Sequence, residues 1–568
     1  MKSKYQFVSI AILFFIPFSQ MYSQEWMKNV KEGEKNFYTI QKEFQQYYDG
    51  REPEREEEGE EAYEEMMTEG WMLYKRWEWF WSPRVYPTGK LPRPDILEMR
   101  MKEFAQIQSP QKSGAANWTI IGPSVVPSNA GGAGRVNCVV VNPSNSSIIF
   151  IGSAGGGLWK STNNGSSWTT TTDALGSIGV TAIAFDPNNI NIMYLATGDA
   201  DAGDTYSIGV LKSTDGGGSW NSTGLNYTVN QTTTVRALVT HPTNSNIIFA
   251  TTNTGIYRTT DAGTNWSSVA SGSFRDLEIN KSDPNILYAT INSDGIYKST
   301  NGGTSFSKLT TGLPTSSFGR IGIAIAPSSP ANVYALYVNT TNGFYGLYKT
   351  TDAGANWTQQ SNTPNILSWD GTGTNGQGWY DLVIDVDPNN ASTIYTGGVN
   401  MYKSTTSGTS WTKITHWYSD AGYPYIHADQ HGMTFLPGSS TTFFVGNDGG
   451  IFKTTDAGTS WSDLSNGLAI TQFYRLGSSA TNVNRIYAGA QDNGTDRVLN
   501  GNWTRIIGGD GMEALIDYSD ENYGYGELYY GAIKRTTNGG SSFSSITSGI
   551  GEDGGWVTPY VINPVNQR

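Results

Sequence analysis

Apolar residues follow two different periods along this chain, and the change between them divides it. Phe37, Ile40, Phe44 and Tyr47 recur at helical spacing, as do Trp71, Tyr74 and Trp81. The acidic, aromatic-rich stretch 24–110 therefore predicts two or three amphipathic helices, ending near Pro83, Pro87 and the Pro92/Pro94 pair. Their tryptophans Trp71, Trp77, Trp79 and Trp81 read as a face docked on the next domain rather than as a carbohydrate platform, because the spacing is helical. From Trp118 onward short apolar runs such as 192–196 and 286–289 lie between Asp-Pro and Gly-rich turns, the pattern of β-strands. Ahead of both, Lys2 and Lys4 precede an apolar run over 7–18 and a small Ser23, which reads as a secretory signal over 1–23. That run is short for a transmembrane helix, so the expected destination is outside the cell or on its outer surface.

The strand region repeats itself. An octet of Ser/Thr, any, Asp/Asn, any, Gly, any, Ser/Asn, then Trp/Phe occurs at 161–168, 213–220, 259–266, 299–306, 350–357, 404–411 (with Thr406 in place of the acid), 454–461 and 536–543. Its closing aromatics stand 52, 46, 40, 51, 54, 50 and 82 residues apart, and Trp503 splits the last interval. Periods of 40–50 residues with about four strands each predict an all-β fold, a β-propeller of four-stranded blades over 117–568 behind a short helical segment. About nine units and an unfinished tenth are counted, so a truncated C-terminus is expected. Asn117–Ile121 resembles Asn502–Ile506 and reads as a closing strand for the last blade.

Composition agrees and removes some partners. Gly is 67 of 568 residues, charged residues are 15% where about 25% is usual, and aromatics reach 12%, which excludes bulk disorder. A formal net charge of −13 disfavours nucleic acid. The one cysteine, Cys138, has no intramolecular disulfide partner and reads as a buried small hydrophobe.

The octets resemble the Asp-box, or BNR repeat, of sialidases, sortilins and xyloglucanase-type glycoside hydrolases. The resemblance implies one ten-bladed ring, as in sortilin-type domains, or two seven-bladed rings, as in xyloglucanase types. It also resembles large exported Bacteroidetes proteins, which implies a C-terminal sorting domain, beyond this sequence, that engages secretion machinery. Asp215, Asp261, Asp352 and Asp456 are expected to bond turn amides, and Trp168, Trp220, Trp266, Trp357, Trp411 and Trp461 to wedge between blades. The sialidase Phe-Arg-Ile-Pro motif is broken at Phe318-Gly319-Arg320-Ile321. Xyloglucanase types carry a catalytic Asp two residues before a Gly pair, and the matching position here is Ala154.

Strand alternation puts the octets on one face and the most individual polar residues on the other. Gln377, Trp379 and Asp381 lead into the sixth unit; His427, Asp429 and His431 lead into the seventh, whose second turn holds Asn447 and Asp448. Gln491 and Asp492 lie in the eighth unit's second turn, and Asp510 and Glu513 lead into the ninth. These are the expected ligand-face residues. His427/Asp429/His431 reads either as a metal site or as polar groups lining a wet channel. Asp199, Asp201 and Asp204 form a second acidic cluster for which calcium is the candidate ion; no cofactor is required otherwise. The expected function is a non-catalytic surface module that binds a polysaccharide or a peptide or protein. The alternative is a xyloglucanase-like glycoside hydrolase with carboxylates relocated among Asp429, Asp448, Asp492, Asp510 and Glu513.

Overall fold

The computed structural model describes residues 36–48, 71–91, 120–129, 131–418, 422–551 and 553–563. The signal over 1–23, the Glu-rich run 52–69, the Pro92/Pro94 pair and the start of the expected closing strand lie outside them. Two helices, α1 (Phe37–Tyr48) and α2 (Trp71–Val85), are followed by nine four-stranded antiparallel sheets. Each sheet runs up and down in chain order, over 136–170, 180–226, 235–271, 274–308, 318–361, 383–413, 430–463, 473–507 and 514–545.

The first seven sheets close a ring. Six apolar clusters each join one sheet to the next, for example Phe150, Met193 and Leu195 between sheets one and two, and Tyr395, Phe443 and Val445 between six and seven. A further cluster joins the ends: Val136, Ile149, Ile151 and Trp168 of sheet one pack on Phe444, Ile451 and Ile470 in and after sheet seven. Gly432 and Gly446 make this contact close, since a Cβ on either would lie within 3 Å of backbone in sheet one. Sheets eight and nine stand outside the ring and pack on each other through Tyr487, Ala514 and Ile516. The expected closing strand is corrected here. Sheets eight and nine carry their own fourth strands, and the described part of the segment touches sheet eight through one parallel bridge, Ser128 to Thr504, with Trp503 Nε1 donating to Ile121 O at 3.2 Å.

The octet turns explain their own composition. In 213–220, Ser213 Oγ donates to Asp215 Oδ1 at 2.7 Å and accepts from Gly217 N at 2.9 Å, while Asp215 Oδ1 also accepts from Ser219 N. Gly217 holds φ +86°, a left-handed conformation that costs glycine nothing. The same bonds recur around Asp261, Asp352 and Asp456. These bonds to the charged form hold Asp352 and Asp456 at about 2. The closing tryptophans reach neighbouring sheets: Trp168 Nε1 donates to Leu464 O at 2.9 Å and Trp411 Nε1 to Ser361 Oγ at 2.9 Å. A lysine in the third strand repeats as well, with Lys160, Lys212 and Lys298 Nζ donating to carbonyls of the next sheet's turn. Cys138 is half-buried and free, and burial pushes its thiol up to about 12.

Candidate functional site

The face opposite the octets collects the loops that lead into each first strand. The first strands pack side by side around the ring axis, so their leading residues converge there. Arg135, just before the first strand, donates from Nη2 to Asp199 at 2.7 Å and to Asp204 at 3.0 Å. Its Nη1 donates to the Tyr380 hydroxyl at 3.0 Å, which in turn donates to Asp448 Oδ2 at 2.6 Å. His431 bridges Asp448 Oδ1 at 2.8 Å and Asp201 Oδ2 at 3.2 Å. Burial works against a charged imidazole, but Asp448 and Asp201 outweigh it and raise His431 to about 9. Asp201 also pairs with Arg275 and, at 3.2 Å, with Arg320. Together the arginines and His431 hold its carboxyl far below the usual range against the desolvation of burial.

A second layer crosses from the ring to sheets eight and nine. His427, whose pKa burial lowers, donates from Nε2 to Asp492 O at 3.2 Å. Asn493 Nδ2 donates to Asp448 O at 3.2 Å, and Gln472 Nε2 donates to Asp204 at 3.1 Å. At this seam Asp492 N donates to Asp510, and Gln491 Nε2 donates to Asp492 Oδ2 at 3.2 Å. Asp492 and Asp510 share one cation: Arg76 Nη2 from α2 lies 2.8 Å from Asp492 Oδ1 and 3.1 Å from Asp510 Oδ2. Burial drives the Asp510 carboxyl upward, and the charge of Asp492 adds to that while Arg76 opposes it. Asp429 and Asp492 both hold left-handed backbone, at φ +67° and +58°, a conformation that aspartate adopts more readily than most residues with a Cβ.

Most expected ligand-face residues therefore meet. Gln377 donates to Asp429, and Asn447 Nδ2 donates to His427 O at 3.0 Å. Trp379 and Asp381 border the network, Trp379 through its carbonyl on Arg320 and Asp381 fully buried nearby. Glu513 faces outward to Arg475 at 3.4 Å, while its backbone N donates to Glu527. Asp199 and Asp204 share Arg135, while Asp201 turns to Arg275, Arg320 and His431. Among the described residues no group of three or more His, Cys, Asp or Glu converges as a metal site would. In this geometry Asp199, Asp201, Asp204 and His431 join an ion-pair network, while His427 and Asp429 bond to Asp492 O and Gln377. Further along first strands of the same ring, burial pushes Glu278 to about 8 and Asp385 to about 6.

Arg76, Arg135, Tyr380, Arg275, Arg320 and Gln472 were not singled out from sequence. Arg135 and Gln472 lie in loops leading into first strands, the position that flagged their partners, and that signal extends to them. Arg76 carried none, since it stands among the tryptophans of a helix. Two of the four expected tryptophans pack on the propeller: Trp77 with Ala202, Trp379 and Tyr380 of the ring, and Trp79 with Met512 and Trp556 beyond it, while the Trp71 side chain lies outside the described residues.

The molecule is thus a β-propeller with a charged, buried seam between a closed ring and two further sheets. No family model matches the chain. Among curated proteins it is similar to a xyloglucanase of Paenibacillus sp., 27% identical over 367 residues, covering 59% of this chain and 31% of that protein. A xyloglucanase of Hypocrea jecorina is 26% identical over 52% of this chain and 40% of its own length. The chain thus spans roughly a third of the length of these relatives. Among solved structures, an ancestral GH74 enzyme superposes with a TM-score of 0.58 at 18% identity, covering 78% of this chain and 66% of that one. The GH74 xyloglucanase of Xanthomonas campestris gives 0.50 at 15% identity, covering 73% and 80%. These superpositions establish the propeller fold. The non-catalytic binding module expected from the sequence is corrected by the curated relatives, which are named as enzymes. Among the described residues no helix is long and apolar enough to cross a membrane.

Proposed function

We propose that this chain is the propeller portion of a glycoside hydrolase that cuts a hydroxyl-rich polysaccharide of the xyloglucan kind at the seam. The observation that carries the reading is the pairing of Asp492 and Asp510 on one guanidinium nitrogen. The likeness to xyloglucanases supports the substrate class. Glycosidic cleavage needs two carboxyl groups flanking the bond, one protonated and one ionised. Asp510, raised by burial, is the proton donor to the leaving oxygen; Asp492 is its ionised partner. Held by one nitrogen, their oxygens lie no more than about 6 Å apart, closer to the spacing for direct attack on the sugar (about 5–5.5 Å) than to that which admits a water (about 6.5–9.5 Å). The relocation is needed because Ala154, where the resemblance places an acid, is buried and offers its carbonyl to Thr205 Oγ1 at 3.1 Å. An exported enzyme fits a polysaccharide substrate, in keeping with the apolar run over 7–18.

The test is release of reducing ends from xyloglucan by the wild-type protein and by Arg76→Ala, which uncovers the pair. Asp492→Asn or Asp510→Asn should lower the rate about 10²–10⁴-fold. No release by either wild type or Arg76→Ala overturns the reading.

A further inference from the structure

The carboxyl pair that would cut a polysaccharide is closed to one. Asp510 is fully buried and the Asp492 side chain is 8% exposed, while Arg76, itself 12% exposed, fills the space between them. A pyranose ring cannot reach both groups with that guanidinium in place.

We propose that α2, with α1 packed behind it, is an autoinhibitory plug that seats Arg76 where substrate must bind, so that the site opens when the helix leaves. The inference rests on the reading of the seam as a glycoside hydrolase site. Three observations carry it. First, α2 straddles the seam. Tyr74 and Trp77 pack with Ala202 and Tyr380 of the ring, and Trp79 lies edge-on to Tyr474 at 5.8 Å and against Met512 and Trp556 beyond the ring. Second, its charge matches. Arg76 places a cation on two carboxylates and over Trp556 at 5.8 Å, in a protein whose net charge is −13.

Third, α2 is a part added to the propeller. The ring closes through clusters that contain no residue of either helix, so leaving the seam breaks no sheet. Helix α1 supports the plug rather than the ring: Phe44 stacks on Tyr74 with centroids 3.4 Å apart, and Gln41 Nε2 donates to Glu78 at 2.8 Å. With the plug in place the apparent affinity for substrate falls by the fraction of molecules that are open. Removing Arg76 leaves two carboxylates without their cation in a dry site, which favours the open state in which water reaches them.

The experiment uses the whole chain in four forms: wild type, Arg76→Ala, Trp79→Ala and Asp510→Asn. Xyloglucan oligosaccharide binding is measured by calorimetry, hydrolysis by reducing ends, and exchange of the 71–85 amides by mass spectrometry. Arg76→Ala should bind and hydrolyse at least tenfold better than wild type, Trp79→Ala should shift the same way by less, and oligosaccharide should speed exchange in 71–85. If both variants match wild type in binding and exchange while Asp510→Asn is inactive, the plug is overturned and the enzyme stands. If Arg76→Ala binds tighter but no form hydrolyses, the plug stands and the hydrolase reading falls. If no form binds or hydrolyses, both fall.

Discussion

The octet turns and the seam lie on opposite faces of the propeller and use polar residues in opposite ways. Around Asp352 the bonds run to Thr350 and Asn356, two and four residues away, so the carboxylate is satisfied within its own turn. At the seam Arg76 meets Asp492 across 416 residues, and Tyr380 meets Asp448 across 68. A motif repeated eight times and satisfied locally specifies a scaffold. Residues used once, and satisfied only by distant partners, specify a site. Acidity alone does not tell the two kinds of aspartate apart: octet aspartates are held low by hydrogen bonds to their charged form, while Asp510 is raised by burial.

The largest expected effect separates the regions outright. Asp510→Asn should cost about 10²–10⁴-fold in hydrolysis with a melting curve close to wild type; equal loss by Asp456→Asn in the octets would erase the distinction. Next is Trp168→Ala, which empties a wedge between sheets one and seven and should cost about 3–5 kcal/mol of stability while leaving hydrolysis per folded molecule unchanged. Denaturant unfolding beside active-site titration checks both halves.

His431 sharpens the comparison through pH. Its folded pKa, about 9, is above the unfolded value of about 6.5, so its contribution is full below about 6.5 and is lost as pH rises through about 9. His431→Ala should destabilise by about 3 kcal/mol at pH 6, by leaving Asp201 and Asp448 without their shared partner, and by much less at pH 10. The smallest effect belongs to the octets. Asp352 is lowered to about 2 from an unfolded value near 4, so its contribution is present above about 4 and lost as pH falls towards 2. Asp352→Asn should lower the melting midpoint slightly at neutral pH, where that contribution is present, and flatten the acid limb, so that the two proteins converge towards pH 2.

Much of this was legible in the residues. The period of the octets located eight of nine third-to-fourth-strand turns, and Gly295–Ser299 is a strand with the bounds its alternation suggested. The helical spacing of Phe37, Ile40 and Phe44 placed α1, and all three side chains are buried. The same topology put His431, Asp448, Asp492 and Asp510 on one face, because consecutive antiparallel strands fix which turns share a side. Glu513 leads into a first strand like the others but stands apart from their network, with its side chain 15% exposed and paired with Arg475.

What the sequence determined by itself is therefore whatever a dozen neighbouring residues settle: turn chemistry, strand and helix period, and the side of the sheet on which each loop emerges. Ring closure after seven sheets was decided by tertiary structure. Every sheet presents similar Val, Ile, Tyr and Phe to its neighbour, so no residue marks where the first meets the last, and accumulated twist brings Val136 onto Phe444. The seam was decided in the same way. Arg76 carries no local sign of its role, because its partners lie more than four hundred residues away and reach it only after the ring has closed and α2 has crossed it.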